Sequence, residues 1–330
     1  MEGRRSWRGR LIPLAAALLG LALIAGLVVH IGAGAVGASL AAFGWRALAA
    51  IVVIHLVLIA VMGFAWRELL PETRAWVGVW GRLVRDSAAE VLPLSQLGGY
   101  VLGARALTLA GVSAAGAAGS TIVDVTLEFV AQLAYTALGL AWLIYLRPHA
   151  PLARPVAAGL LVAGLAAVGF LLVQHRGFAL FDRLARAVGR GWADRSAAGA
   201  AALHAEIAAI YRRRGRLLAG LLLHFGCWIA SAVESWLALE IAGAPLGFAA
   251  VLVIESLLYA IRTAAFAVPN ALGVQEGAYI LLGAGFGLSP EMALALSLLK
   301  RARDLSIGLP GLGLWQAVES RRLLRRSRRA

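Results

Sequence analysis

The chain has one cysteine, Cys227, and one lysine, Lys300, among 330 residues. A single cysteine excludes an intramolecular disulfide and gives no sign of compartment. Scarce lysine beside abundant arginine and alanine reads as codon bias, not guanidinium chemistry. Acids are few as well: 17 Asp and Glu against 31 Lys and Arg leave a formal charge of +14. The six histidines, His30, His55, His149, His175, His204 and His224, are scattered without metal-ligand spacing, so no metal site is expected. There is no Walker sequence, no dinucleotide glycine pattern and no Asp-rich prenyl-diphosphate motif. Ser297-x-x-Lys300 lies inside an apolar run and reads as an accident of composition. No enzyme activity and no cofactor are expected.

Apolar residues make up 61% of the chain, and mean hydropathy is +0.82. That composition requires burial in lipid. The positive charge is not spread over a soluble face. It collects between apolar runs, at Arg4 to Arg10, Arg183 to Arg195, Arg212 to Arg216 and Arg321 to Arg329. This is the positive-inside pattern, which makes anionic headgroups the expected partner and nucleic acid not one.

A span needs about 20 apolar residues. Leu11–Ile31, Ala47–Trp66, Asp124–Leu146, Val156–Gln174, Leu217–Ile241, Leu246–Val268 and Glu291–Trp315 meet that requirement. Leu11–Ile31 is long for a signal peptide and reads as an uncleaved first span. Val91–Gly111 and Ala271–Leu288 are apolar but interrupted by proline or glycine, and Arg67–Glu90 reads as a loop with an interfacial helix. Basic loops put both termini in the cytoplasm, which requires Ala271–Leu288 to cross and Val91–Gly111 to re-enter. The linker 175–216 carries Phe178, Phe181, Leu184, Val188 and Trp192 opposite Arg183, Arg186 and Arg190. That spacing describes an amphipathic helix, lying in the headgroup layer or packed on the spans. A shift of 176 positions superposes Pro93 on Pro269, Gly111 on Gly287, Ser113 on Ser289 and Glu128 on Asp304. The expected fold is all-α: one polytopic helix bundle of two weakly related halves, about 1–174 and 217–315, with re-entrant helices and a basic tail, 316–330.

Intramembrane charge needs a partner or water. Asp124, Glu128 and Gln132 share one helical face, and Glu255, Tyr259 and Arg262 form a second stripe in which Glu255 and Arg262 can pair. Glu234 is similarly deep. The densest constellation is Pro269, Gly273, Gln275 and Glu276, followed by Lys300, Arg301, Arg303 and Asp304. There Lys300 can pair with Asp304, and Glu276 can neutralise another cation. One positive charge is left for a lipid phosphate, or for Glu128 or Glu255. The acids Asp124, Glu128, Glu276 and Asp304 would balance charge or carry protons, any driving force being an ion gradient.

Leu92-Pro-Leu-Ser-Gln-Leu-Gly-Gly-Tyr-Val-Leu-Gly-Ala-Arg105, Val123-Asp-Val-Thr-Leu-Glu128, Val268-Pro-Asn-Ala-Leu-Gly-Val-Gln-Glu-Gly277 and Leu299-Lys-Arg-Ala-Arg-Asp304 resemble the lysylphosphatidylglycerol-synthase transmembrane, flippase-like family. Within it, the hopanoid-associated membrane proteins are the nearest likeness. Where the family usually has Gly-Glu after the first proline, this chain has Gly98-Gly99. The resemblance implies a bacterial inner-membrane protein that handles lipids. The soluble aminoacyl-transferase domain of the bifunctional synthases has no counterpart here, so synthesis of an aminoacylated lipid is not expected. A lipid translocator is the leading expectation. A non-transporting scaffold for lipid-biosynthesis proteins is the alternative.

Overall fold

The computed structural model describes residues 18–92, 95–151, 153–188, 190–265 and 268–327, with the side chains of 95, 173, 175–198 and 323–327 outside that description. The described residues form eleven helices and no strand. In chain order these are α1 (Leu18–Ile31), α2 (Ala33–Leu69), α3 (Ala75–Val91), α4 (Ser95–Leu109), α5 (Ala114–Leu146) and α6 (Ala153–Val188), then α7 (Arg190–Arg212), α8 (Arg214–Ile241), α9 (Phe248–Ala264), α10 (Val274–Ala284) and α11 (Pro290–Ser327). Ala33–Leu69, Ala114–Leu146, Ala153–Leu172 and Arg214–Ile241 are long and apolar enough to cross a membrane. The chain is a polytopic helical membrane protein.

The expected repeat appears in the helix order. Shifted by 176, α2 to α5 fall on α8 to α11. α5 opens at Ala114 behind Gly111 (φ 100) and the cap Ser113, whose Oγ accepts the Gly116 N–H at 3.0 Å. α11 opens at Pro290 behind Gly287 (φ 85) and Ser289, whose Oγ accepts the Met292 N–H at 3.3 Å. A glycine in a left-handed turn, a serine cap and a helix start recur in register.

The broken segments are helical hairpins. α3 and α4 pack closely because Gly99 and Gly103, spaced four apart, leave no side chain between the backbones. A Cβ at Gly99 would meet the Arg85 carbonyl oxygen at 2.6 Å. α9 and α10 form the second hairpin, joined through a 3-10 turn at Pro269–Ala271. α10 has 11 residues, a length of roughly 16 Å at 1.5 Å per residue, about half the hydrocarbon thickness. Ala271–Leu288 therefore does not cross as a helix, contrary to expectation.

One further expectation needs correction. Arg67–Glu90 is not a surface loop: α3 is packed against α2, α4 and α11, with Arg82 and Arg85 buried. The linker is helical over 175–188 and 190–212, as its spacing leads one to expect, and the end of α7 packs into the bundle through Ile207 and Ile210. The aromatic stripe from Phe178 to Trp192 lies outside the described side chains.

Two apolar clusters hold the bundle. One gathers Phe43, Ile51, Leu143, Leu239, Leu257 and Tyr279; the other gathers Trp66, Leu69, Leu107, Val123 and Ile210. Along α2 and α5 the ionisable residues His55, Asp124 and Glu128 fall between these clusters or at their edge.

Candidate functional site: a buried ionic network between two hairpins

The network has three parts. In the first half, α3 supplies the cations and α5 the acids. Arg82 donates through Nε to Asp86 and through Nη2 to Glu128, both at 2.7 Å. Arg85 donates through Nη1 to Asp124 at 2.7 Å and through Nη2 to Glu128. His224, on α8, lies 3.0 Å from Asp124 Oδ1 through Nε2, with both side chains fully enclosed. Below them Gln132 Nε2 donates to the Tyr259 carbonyl at 3.1 Å and to Thr263 Oγ1 at 2.6 Å, tying α5 to α9.

In the second half the polarity is reversed, with cations on α11 and most acids on α8 and α9. Lys300 Nζ donates to Glu255 at 2.7 Å and to Ser235 Oγ at 3.2 Å. Tyr279 and Ser235 hydroxyls also donate to Glu255. Arg303 bridges Glu234 and its own neighbour Asp304. Glu234 in turn faces His55 Nδ1 on α2 at 2.9 Å.

The third part is where the hairpin tips meet. Arg262 donates to Glu90 and to Asn270 Oδ1, each at 3.2 Å, while Asn270 Nδ2 donates to the Glu90 carbonyl at 2.9 Å. Asn270 and Ala271 adopt left-handed backbone, with φ 50 and 46. Non-glycine residues hold such angles only where the surroundings impose them. Arg301 does so here, donating to the Asn270 and Ala271 carbonyls and pairing with Glu276 at 2.7 Å. Glu276 reaches back to the Gly273 N–H at 2.8 Å, capping α10, and accepts from Ser297, to which Gln275 donates.

A family described as the lysylphosphatidylglycerol synthase TM region matches residues 15–311. The chain belongs to that family. Its family relation and its apolar helices make it a membrane protein of a lipid-related group. No curated protein and no solved structure matches it.

In this lysylphosphatidylglycerol synthase transmembrane-family chain, Asp124, Glu128, Gln132, Glu255, Arg262, Pro269, Gly273, Gln275, Glu276, Lys300, Arg301, Arg303 and Asp304 all join or adjoin the network. Arg105 does not. It is 39% exposed and pairs with Glu319 near the end of α11. The pairing also differs from expectation. Lys300 reaches Glu255 on α9 and not Asp304, and Arg262 reaches Glu90 and not Glu255. No cation of α11 between 300 and 304 is left over, because each has a carboxylate. Helical i, i+4 pairs contribute only about 0.2–0.5 kcal/mol, so contacts across buried helices decide the partners.

The residues that sequence reasoning missed are Arg82, Arg85, Asp86 and Glu90, read as loop charges, and His55 and His224, read as isolated. A usable signal was present. Arg82, Arg85 and Asp86 recur at i, i+3 and i+4 just before Pro93, and Asp124 with Glu128 needed counter-ions.

Proposed function

We propose that this chain moves lipids between the leaflets of a bacterial inner membrane, without catalysing a covalent reaction. The observation that carries the reading is the meeting of two helical hairpins, Glu90 to Arg262 and Asn270, between two buried ionic clusters. Broken helices framing polar groups at the repeat interface are how many transporters build a substrate site. Non-helical backbone at membrane depth is tolerated only where protein or a water-filled cavity surrounds it.

The site is closed in this conformation: Glu234, Glu255 and Glu276 are 0% exposed and Lys300 2%. The ion pairs act as latches. Parting the hairpins would open Lys300, Arg301 and Arg303 toward an anionic headgroup while Glu255, Glu276 and Glu234 lose their partners. Family membership supports a lipid substrate. Hopanoid or other polycyclic lipids are the class suggested by the motif resemblance. Reconstitution in liposomes with fluorescent anionic and hopanoid probes tests the reading. Movement is expected with the native chain and at least tenfold less with Lys300→Ala, Arg303→Ala and Glu276→Gln combined. Unchanged movement removes the site.

The pairing of every α11 cation between 300 and 304 favours one second reading, a scaffold that holds lipid-biosynthetic proteins while the charges only join helices. Affinity purification would then recover enzymes in stoichiometric amounts, and the purified chain would move no lipid.

A further inference from the structure

The three parts of the network differ in charge. Around α3 and α5, two cations (Arg82, Arg85) face three carboxylates (Asp86, Asp124, Glu128). Around α11, two cations (Lys300, Arg303) again face three carboxylates (Glu234, Glu255, Asp304). At the hairpin tips, two cations (Arg262, Arg301) face two (Glu90, Glu276). By these contacts, among the described residues, each of the two clusters has one carboxylate more than its cations, and the tips have equal numbers. A histidine stands on a carboxylate in each half, His224 on Asp124 and His55 on Glu234, and neither touches the balanced tips.

An uncompensated charge at such depth is unfavourable, and one proton per cluster brings each to neutrality. We infer that the pairs Asp124–His224 and Glu234–His55 are proton-binding sites, and that proton uptake accompanies entry of an anionic lipid headgroup into the network. The second clause rests on the lipid-moving reading above; the first does not.

The geometry names the atoms. Ionised Asp124 only accepts, so His224 Nε2 carries the hydrogen between them. Its Nδ1 is buried with no hydrogen-bond partner, a bare lone pair in a neutral ring. A proton from water adds there, giving an imidazolium whose charge offsets Asp124; no covalent bond to carbon forms or breaks. Glu128 from α5 and Arg82 and Arg85 from α3 are the other charges around it. At His55, Nδ1 faces Glu234, so Nε2 is the receiving atom, with Arg303, Asp304 and Lys300 of α11 as the surrounding charges. His224 is 0% exposed and His55 24%, so the two sites load from different depths. Protonated His55 on Oε1 takes up part of the Glu234 charge that Arg303 holds through Oε2, which loosens the guanidinium toward a phosphate oxygen.

The test uses the full chain in liposomes holding a trapped pH dye and labelled phosphatidylglycerol, with labelled phosphatidylcholine as the zwitterionic comparison. An imposed pH gradient should speed phosphatidylglycerol movement at least tenfold over phosphatidylcholine, with proton entry in step. His55→Gln and His224→Gln should each remove the gradient response. Anionic-lipid movement that ignores the gradient, or a response kept by the double variant, overturns the coupling. If no lipid moves under any condition, the lipid-moving reading fails, and nitrogen NMR of labelled histidine in bilayers still reads the sites. In the native chain both rings, His55 and His224, should gain a proton on acidification. Asp124→Asn should leave His224 neutral throughout, and Glu234→Gln should do the same for His55. Rings that do not titrate in the native chain, or that titrate unaltered in these variants, overturn the proton sites. Variants are compared only as monodisperse species on size exclusion, and the isosteric carboxamide pair serves where a glutamine at the histidine does not fold.

Discussion

The two halves of the molecule share a backbone plan and oppose each other in charge. In the first half the hairpin helix α3 is cationic and the long helix α5 anionic. In the second half the long helix α11 carries the cations, and the acids come mainly from α8 and α9. The packing differs in the same places. Gly99 and Gly103 of the first hairpin correspond, 176 positions on, to Gln275 and Tyr279 of the second. Glycines let α4 lie against α3 backbone to backbone, whereas Gln275 and Tyr279 bond to Ser297 and Glu255 and are built into the network. The repeat therefore conserves where helices start and turn, and frees the side chains to make one half tight and the other polar.

The comparison breaks most readily at the carboxylates. Glu255 is the carboxylate that holds Lys300, while Arg85 keeps Glu128 if Asp124 is lost. Glu255→Ala should cost about 3–5 kcal/mol, the loss expected when a buried charge is left without its partner. Asp124→Ala should cost distinctly less. Thermal unfolding in detergent reads both, and equal losses would mean that the halves are held in the same way. Exchanging the charges, Glu255→Lys with Lys300→Glu, should recover much of the loss of either single change. Coupling on the order of 0.5–3 kcal/mol in the double-mutant cycle would show that the polarity of this pair is reversible.

The hairpins come next. Gly103→Ala puts a Cβ 2.8 Å from the Arg85 Cβ and should cost about 1–3 kcal/mol, with α3 forced away from α4. The matching change in the second hairpin, Tyr279→Phe, adds no bulk and removes one hydroxyl donor from Glu255. A loss of about 1.5–3 kcal/mol is expected there, as for a hydrogen bond to a charged group. A larger effect from Tyr279→Phe than from Gly103→Ala would mean that the second hairpin is the more tightly packed one.

Much of this was legible in the sequence, for definable reasons. Apolar runs and basic clusters announce spans, and the pairing of Gly111 and Ser113 with Gly287 and Ser289 announces the repeat, because turn and cap chemistry is local. The ionic partners were not legible. Asp124 and Glu128 find Arg85 and Arg82 from a helix that amphipathic spacing alone presents as interfacial, and the distance in sequence is about 40 residues. His224 lies 100 positions from Asp124 and His55 179 from Glu234, so nothing local marks either as paired. Tertiary pairing, which decides the site, has no signature within one helix.

The smallest expected effect tests the part of the repeat that the halves do share. Ser113 and Ser289 cap equivalent helices, and each supplies an acceptor to a first-turn amide that the helix cannot satisfy itself. Ser113→Ala and Ser289→Ala should each cost about 1 kcal/mol, as loss of an N-cap does. Ser289 accepts over a longer distance, 3.3 Å against 3.0 Å, and Glu291 adds an acid to the first turn of α11 where α5 has none. Both features lighten the burden on Ser289, so its loss should be the smaller of the two. Amide hydrogen exchange at Gly116 and Met292 measures each cap directly. Faster exchange at Gly116 alone would show that the repeat preserves the cap residue in both halves but its energetic role in only one.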